Sequence, residues 1–91
     1  IYYLYIVDPE DHILGVLSLR ELIVASPEKA LSELMDTRIV TVGIEEHKGR
    51  IADDFAKYGM LAMPVVDEDN RLKGVILFKN LLEVVLPKLG R

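Results

Sequence analysis

The sequence predicts an α/β (α+β) chain of two β-α-β-β-α units related by an internal pseudo-twofold, the first truncated at its N-terminus. Two observations predict it. Sliding the 91-residue chain by 59 positions places Val7-Asp8 on Val66-Asp67, Gly15-Val16 on Gly74-Val75 and Leu22 on Leu81. Between these identities the character is kept, as in Ile6/Val65, Ile13/Leu72, Leu17/Ile76, Leu19/Phe78, Arg20/Lys79 and Ile23/Leu82. A repeat of this kind sets the architecture before any local assignment is made. The second observation is the order within each copy: an apolar run, an acidic turn, a second apolar run containing glycine, then a short helical pattern.

The elements follow in order. Residues 2–7 and 62–66 are β-branched and aromatic runs that read as strands buried on both faces. Asp8-Pro9-Glu10-Asp11 and Asp67-Glu68-Asp69-Asn70 are turn clusters, so each unit contains a β-hairpin, closed by strands at 13–17 and 72–78. Ser18-Leu19-Arg20-Glu21 has the spacing of a capping box and opens a helix over 18–25. Ser26-Pro27-Glu28 supplies an N-cap, a proline at the first helical position and an acid in the first turn. That predicts a helix over 27–35 with Ala30, Leu31, Leu34 and Met35 on one side.

Ile39-Val40-Thr41-Val42 reads as the next strand, and residues 45–58 as an amphipathic helix with Ile51, Phe55 and Tyr58 at i, i+4, i+7. Gly49 weakens its first turn by about 1 kcal/mol relative to alanine. Subtracting 59 from this strand and helix gives positions before Ile1. With no initiator methionine, and an apolar run at the very start, the chain reads as a piece of something larger. Apolar surface around residues 1–7 is then expected to lie uncovered. The boundaries drawn are 1–36 for the first repeat, 37–86 for the second and 87–91 for the start of a connector beyond Pro87.

Composition excludes several functions. Eleven Lys+Arg against fifteen Asp+Glu give a net charge of −4, the opposite of a nucleic-acid footprint. No apolar run approaches the ~18–20 residues of a membrane span, so these residues are not expected to enter the membrane. Absence of cysteine removes disulfides, thiolate metal sites and cysteine nucleophiles. The six glycines are scattered at 15, 43, 49, 59, 74 and 90, so no glycine-rich phosphate loop exists. His12 and His47 stand apart and read as surface residues, and neither forms a triad spacing with Ser18. Without a catalytic constellation, the chain does not read as an enzyme. Tyr3 and Tyr5 share one strand face and Tyr2 lies on the other, which favours packing over an aromatic platform.

The tandem unit, with Ala62-Met63-Pro64-Val65-Val66-Asp67 followed by Gly74-Val75-Ile76, resembles a CBS-domain pair. Ile1-Tyr2-Tyr3-Leu4-Tyr5-Ile6-Val7-Asp8, Gly15-Val16-Leu17-Ser18-Leu19-Arg20-Glu21-Leu22-Ile23-Val24-Ala25 and Leu34-Met35 are similar to the cytosolic CBS pair of MgtE-type magnesium transporters. The resemblance implies a regulatory module in the cytoplasmic part of an inner- or plasma-membrane protein. It implies a homodimer that contacts other domains of the transporter, with Mg²⁺ and an adenine nucleotide as ligands. Two alternatives stand beside it: a CBS dimerisation module that binds no ligand, and the regulatory insert of an enzyme.

The family's nucleotide motif, Gly-h-h-(Thr/Ser)-x-x-(Asp/Asn), maps onto Gly15-Val16-Leu17-Ser18-Leu19-Arg20-Glu21 and Gly74-Val75-Ile76-Leu77-Phe78-Lys79-Asn80. Ser18, Glu21 and Asn80 are therefore the nucleotide candidates, whereas Leu77 offers no hydrogen bond where the family has a hydroxyl. The competing reading of Ser18 and Glu21 is the capping box, and of Asn80 a helix start. The acidic turns Asp8-Glu10-Asp11 and Asp67-Glu68-Asp69 read as solvated turns that satisfy local backbone donors. For the cation the resemblance points to Glu28, Glu45 and Glu46, with Asp36 a further candidate beside Asp53-Asp54. Ser26 and His47 stand where the family pattern leads one to expect aspartate, so the metal geometry differs from the family's.

Overall fold

The computed structural model describes residues 2–80. The last predicted helix beyond Asn80, with Leu81 and Leu82 of the repeat, and the connector 87–91 lie outside the described residues. The element order is β1 (Tyr3–Val7), β2 (Ile13–Ser18), α1 (Leu19–Val24), α2 (Leu31–Leu34), β3 (Val42–Gly43), α3 (Lys48–Tyr58), β4 (Ala62–Val66) and β5 (Leu72–Leu77). β1 and β2 form a two-stranded antiparallel sheet. β3, β4 and β5 form a second sheet in which β3 runs parallel to β4 and β5 antiparallel to it.

The 59-residue repeat is kept down to hydrogen bonds. Tyr3 opposes Ser18 as Ala62 opposes Leu77, and both hairpins slip register at the same place, Ile6/Val7 and Val65/Val66. The amide of Leu19 donates to the carbonyl of Tyr2, and that of Phe78 to Leu61, both at 2.9 Å. In the turns, Asp8 Oδ1 accepts from the amides of Glu10 and His12, and Asp67 Oδ1 from those of Asp69 and Arg71. Asp11 (φ 69°) and Asn70 (φ 65°) take the left-handed conformation, which Asp and Asn tolerate better than other side chains. The two turns then clasp each other: Ile13 N–H donates to Asn70 O and Leu72 N–H to Asp11 O, at 3.1 and 2.8 Å.

These turn carboxylates carry a pH dependence. Desolvation, the strongest single influence on Asp8, pushes its pKa up. The amides of His12 and Glu10 and the His12 imidazole, 2.9 Å away, together outweigh it and hold the carboxyl below 3.8. At Asp67 the leading cause is the Arg71 amide, and the shift is again downward. Depressed folded-state values contribute stability that is complete above the unfolded value and lost as pH falls through the folded ones. Thermal unfolding should therefore show a midpoint that falls as pH drops below the ordinary 3.8 of these groups. Asp8→Ala should unfold more easily than the parent at neutral pH and show a shallower fall in acid.

Burial separates units that look alike in sequence. β4 is buried along most of its length, with Met63 at 0% exposure, because β3 and β5 flank it and α3 covers it. Phe55, Val42 and Met63 form the core, packed against Ile51, Val65, Ile76 and Phe78. β1 has β2 on one edge and no described strand on the other, so it is half-buried at best rather than buried on both faces. Tyr2 is 75% exposed, and Tyr3 and Val7 are also open, in line with the apolar surface expected around residues 1–7. In the first unit Ile13 and Leu17 face inward from β2.

Three predicted elements start three or four residues later than expected. The helix expected over 27–35 is the single turn Leu31–Leu34. Ser26 fails as its N-cap because its hydroxyl donates to the Glu28 carboxylate, while Lys29 N–H closes a turn onto Ser26 O. Pro27 thus occupies the second place of a turn, where its fixed φ is equally at home. Glu33 instead reaches back to the Ala30 amide at 3.2 Å, and Leu34 and Met35 are half-buried while Ala30 and Leu31 are not. The strand over 39–42 reduces to Val42–Gly43, which pairs with Val65 and Val66. The long helix begins at Lys48, and Tyr58 is exposed rather than in the core. Gly59 ends that helix in the left-handed conformation (φ 61°), its amide donating to Phe55 O.

Candidate functional site

The segment between the units shapes the most telling cleft. After α2 the chain runs along the edge of β2: Val16 N–H donates to Asp36 O and Asp36 N–H to Val16 O, at 3.0 and 2.8 Å. Residues 38–41 are then without strand pairing until β3 begins. With the end of α3 and the start of β4 they wall a groove of about 370 Å³. Tyr3, Tyr5 and Val16 line it from the first unit, and Arg38, Ile39, Val40 and residues 58–62 from the second. Desolvation, with the nearby Tyr3 hydroxyl, raises the Tyr5 pKa and keeps the phenol neutral.

Among the described residues Arg38 is the one charged side chain lining this groove. Asp36 holds it: Arg38 N–H and Nε donate to Asp36 Oδ1 at 2.9 and 3.2 Å, and Nη2 donates to Oδ2 at 3.3 Å. The hydrogen bond from the Arg38 side chain, with that from its amide, lowers the Asp36 pKa, and the same pairing raises that of Arg38. The carboxylate candidate Asp36 is therefore already an ion-pair partner. Sequence reasoning passed over Arg38 and the segment after it. The only signal was a lone basic residue just before the Ile39-Val40 run.

None of the nucleotide candidates Ser18, Glu21 and Asn80 is among the residues that line this groove. Ser18 lines a second groove of about 510 Å³ with Tyr2, Leu19, Arg20 and Ile23. Its capping box is formed: Glu21 N–H donates to Ser18 Oγ at 3.0 Å and Ser18 N–H to Glu21 Oε1 at 2.8 Å. Ser18 keeps its hydroxyl proton to donate, and Glu21 keeps its second oxygen to accept. Leu77, which occupies the hydroxyl position of the second motif, lines a third groove with Tyr2, Leu61, Phe78 and Lys79. Asn80 lies exposed in a helical turn at the end of the described residues.

The cation candidates are dispersed. Glu28 accepts from the Ser26 hydroxyl, and that hydrogen bond is the main cause of its lowered pKa. Glu45 and Glu46 lie exposed in the loop between β3 and α3, where Glu46 N–H donates to Gly43 O. Among the described residues no three His, Cys, Asp or Glu side chains gather as a metal site needs. Glu28, Glu45, Glu46 and Asp36 thus offer single carboxylates rather than a cage. No helix of the described residues is long and apolar enough to cross a membrane.

Comparison with known proteins gives a consistent picture. The CBS domain family matches residues 31–87. The magnesium transporter MgtE of Thermus thermophilus is 40% identical over 85 residues, which are 93% of this chain and 19% of the transporter. The chain thus spans about a fifth of the length of that relative. Among solved structures, the soluble part of a magnesium transporter superposes with a TM-score of 0.87 at 33% identity, covering 97% of this chain and 34% of that one. The cytosolic domain of the Mg²⁺ channel MgtE in complex with ATP superposes with a TM-score of 0.86 at 40% identity, covering 92% and 34%.

Proposed function

This chain belongs to the CBS-domain family, and from that premise we propose that it is the cytosolic regulatory CBS pair of a magnesium transporter, sensing Mg²⁺ and an adenine nucleotide to gate transport. The observation that carries the reading is the 40% identity across 93% of the chain to a magnesium transporter. The ATP held by the cytosolic domain of similar fold supports the nucleotide half. In this reading residues 1–36 and 37–86 are the two repeats, 87–91 lead toward the rest of the transporter, and two copies associate through their CBS pairs. We read no catalysis into the chain, whose relatives named above are transporters.

Ligands would act by differential affinity for two arrangements of the assembly. The nucleotide enters the clefts around the unit boundary, within reach of Ser18, Glu21 and Asn80. Mg²⁺ keeps several waters and needs only one or two carboxylates from any one surface. Glu28, Glu45, Glu46 and Asp36 supply such single carboxylates, each facing acids of another part of the transporter across an interface. Without cation, opposed carboxylates repel and the assembly loosens.

The test is thermal unfolding in MgCl₂ against KCl matched for ionic strength, with ATP in parallel samples. A ligand at about a hundred times its dissociation constant adds roughly 2.7 kcal/mol, an upward shift of several degrees. A shift with Mg²⁺ alone supports the sensor half, and a shift with ATP alone the nucleotide half. No shift with either sinks both as properties of this chain. It would favour the ligand-free dimerisation module, for which Leu77 in the second motif and the closed capping box of Ser18 and Glu21 already speak.

A further inference from the structure

We propose that Arg38 is the phosphate-reading residue of the groove between the units, and that Asp36 is its built-in competitor, setting how strongly anionic ligands are preferred over neutral ones. The inference rests on the nucleotide half of the reading above and goes beyond it by assigning the anion selectivity to one ion pair. The groove walls are tyrosine rings and aliphatic side chains, suited to a flat heterocycle, and among the described residues Arg38 is the single charge lining it. A ligand that fills the groove and makes use of that charge combines an aromatic ring with an anionic tail. Guanidinium matches phosphate geometry with paired, charge-assisted hydrogen bonds.

The placement is fixed at Asp36. Asp36 is pinned by its backbone to Val16 of β2, so its carboxylate is anchored to the first unit. Arg38, two residues on, uses Nε and Nη2 on that carboxylate, and Nη1 remains for an anion. The Arg38 side chain is 90% exposed, which lets it swing toward a phosphate without breaking any buried contact. The pair is neutral as a whole, and a phosphate must compete with Asp36 for the guanidinium. Removing the carboxylate should therefore raise affinity for phosphorylated ligands and leave neutral ones unaffected.

The experiment measures dissociation constants of ATP, AMP and adenosine by calorimetric titration of the full chain, for the parent, Arg38→Ala, Arg38→Gln and Asp36→Asn. The parent should prefer ATP over adenosine. Arg38→Ala should weaken ATP by about tenfold or more while adenosine is unchanged, which erases the preference. Arg38→Gln keeps a polar, though shorter, side chain while removing the charge, and should do the same if the alanine variant fails to fold. Asp36→Asn should tighten ATP severalfold, AMP less, and adenosine not at all. A merely structural role for the pair would move all three ligands together. An unchanged ratio of ATP to adenosine affinity in the Arg38 variants overturns the inference and leaves the nucleotide reading standing. Failure of the parent to bind any of the three overturns both.

Discussion

Phe55→Ala is expected to destabilise the chain by about 3–5 kcal/mol. Phe55 is 2% exposed and sits between Val42 and Met63, with the Phe78 ring 5.8 Å away at a tilt of 35°. Truncation removes the ring's contacts from a site enclosed by a sheet on one side and its own helix on the other, which leaves little scope for collapse. Domains of this size are stable by only about 5–15 kcal/mol, so one substitution takes a large share. At roughly 4–8 °C per kcal/mol the midpoint should fall by tens of degrees. Tyr58→Ala, one turn further along the same helix face but exposed, should cost far less. Equal losses in the two variants would mean that α3 does not pack as the structure has it.

Gly15→Ala carries the second large effect, about 1–3 kcal/mol of overpacking. A Cβ at Gly15 would stand 2.8 Å from Met35 Cβ, 2.6 Å from Cγ and 2.5 Å from Sδ. The thioether end can swing away, but Cβ is fixed to the backbone, so the segment that carries Asp36 must shift. At Gly74, the same position of the second unit, no described atom lies within 4 Å of an added Cβ. Gly74→Ala is therefore expected to be neutral or to stabilise by up to about 1 kcal/mol, through a less flexible unfolded chain. Denaturant unfolding of both single variants and of Gly15→Ala with Met35→Gly, which removes the Cβ as well, checks the cause. If the clash with Met35 is responsible, the double variant costs less than the sum of the two singles. Matching costs at Gly15 and Gly74 would count against the contact.

The contrast between these two glycines marks where sequence reading stops. Gly15 and Gly74 are identical in motif and differ only in what the chain brings over them. The strand pair 2–7 and 62–66 behaves in the same way: alike as apolar runs, one half-exposed and the other holding Met63 at 0%. Among the candidate site residues, Ser18 and Glu21 were legible as a capping box because that motif is local, three residues apart along one turn. Arg38 was not legible. Its significance comes from a groove whose walls are separated by tens of positions, and from a carboxylate fixed to a different strand.

What the sequence determined by itself was the doubled architecture, the hairpins with their turns and the long amphipathic helix. Each depends on short-range chemistry: alternating apolar residues, Asp side chains that accept from amides two and four residues on, and an i, i+4 stripe. The family followed from motifs of the same local kind. Only the tertiary structure decided the rest: how short the strand before the helix is, which of two like strands is buried, and that Asp36 answers to Arg38. It also decided that the two turns clasp through reciprocal amide–carbonyl bonds. These features depend on which surfaces meet in space, and meeting in space is set by the packing of distant segments rather than by the pattern of any one of them.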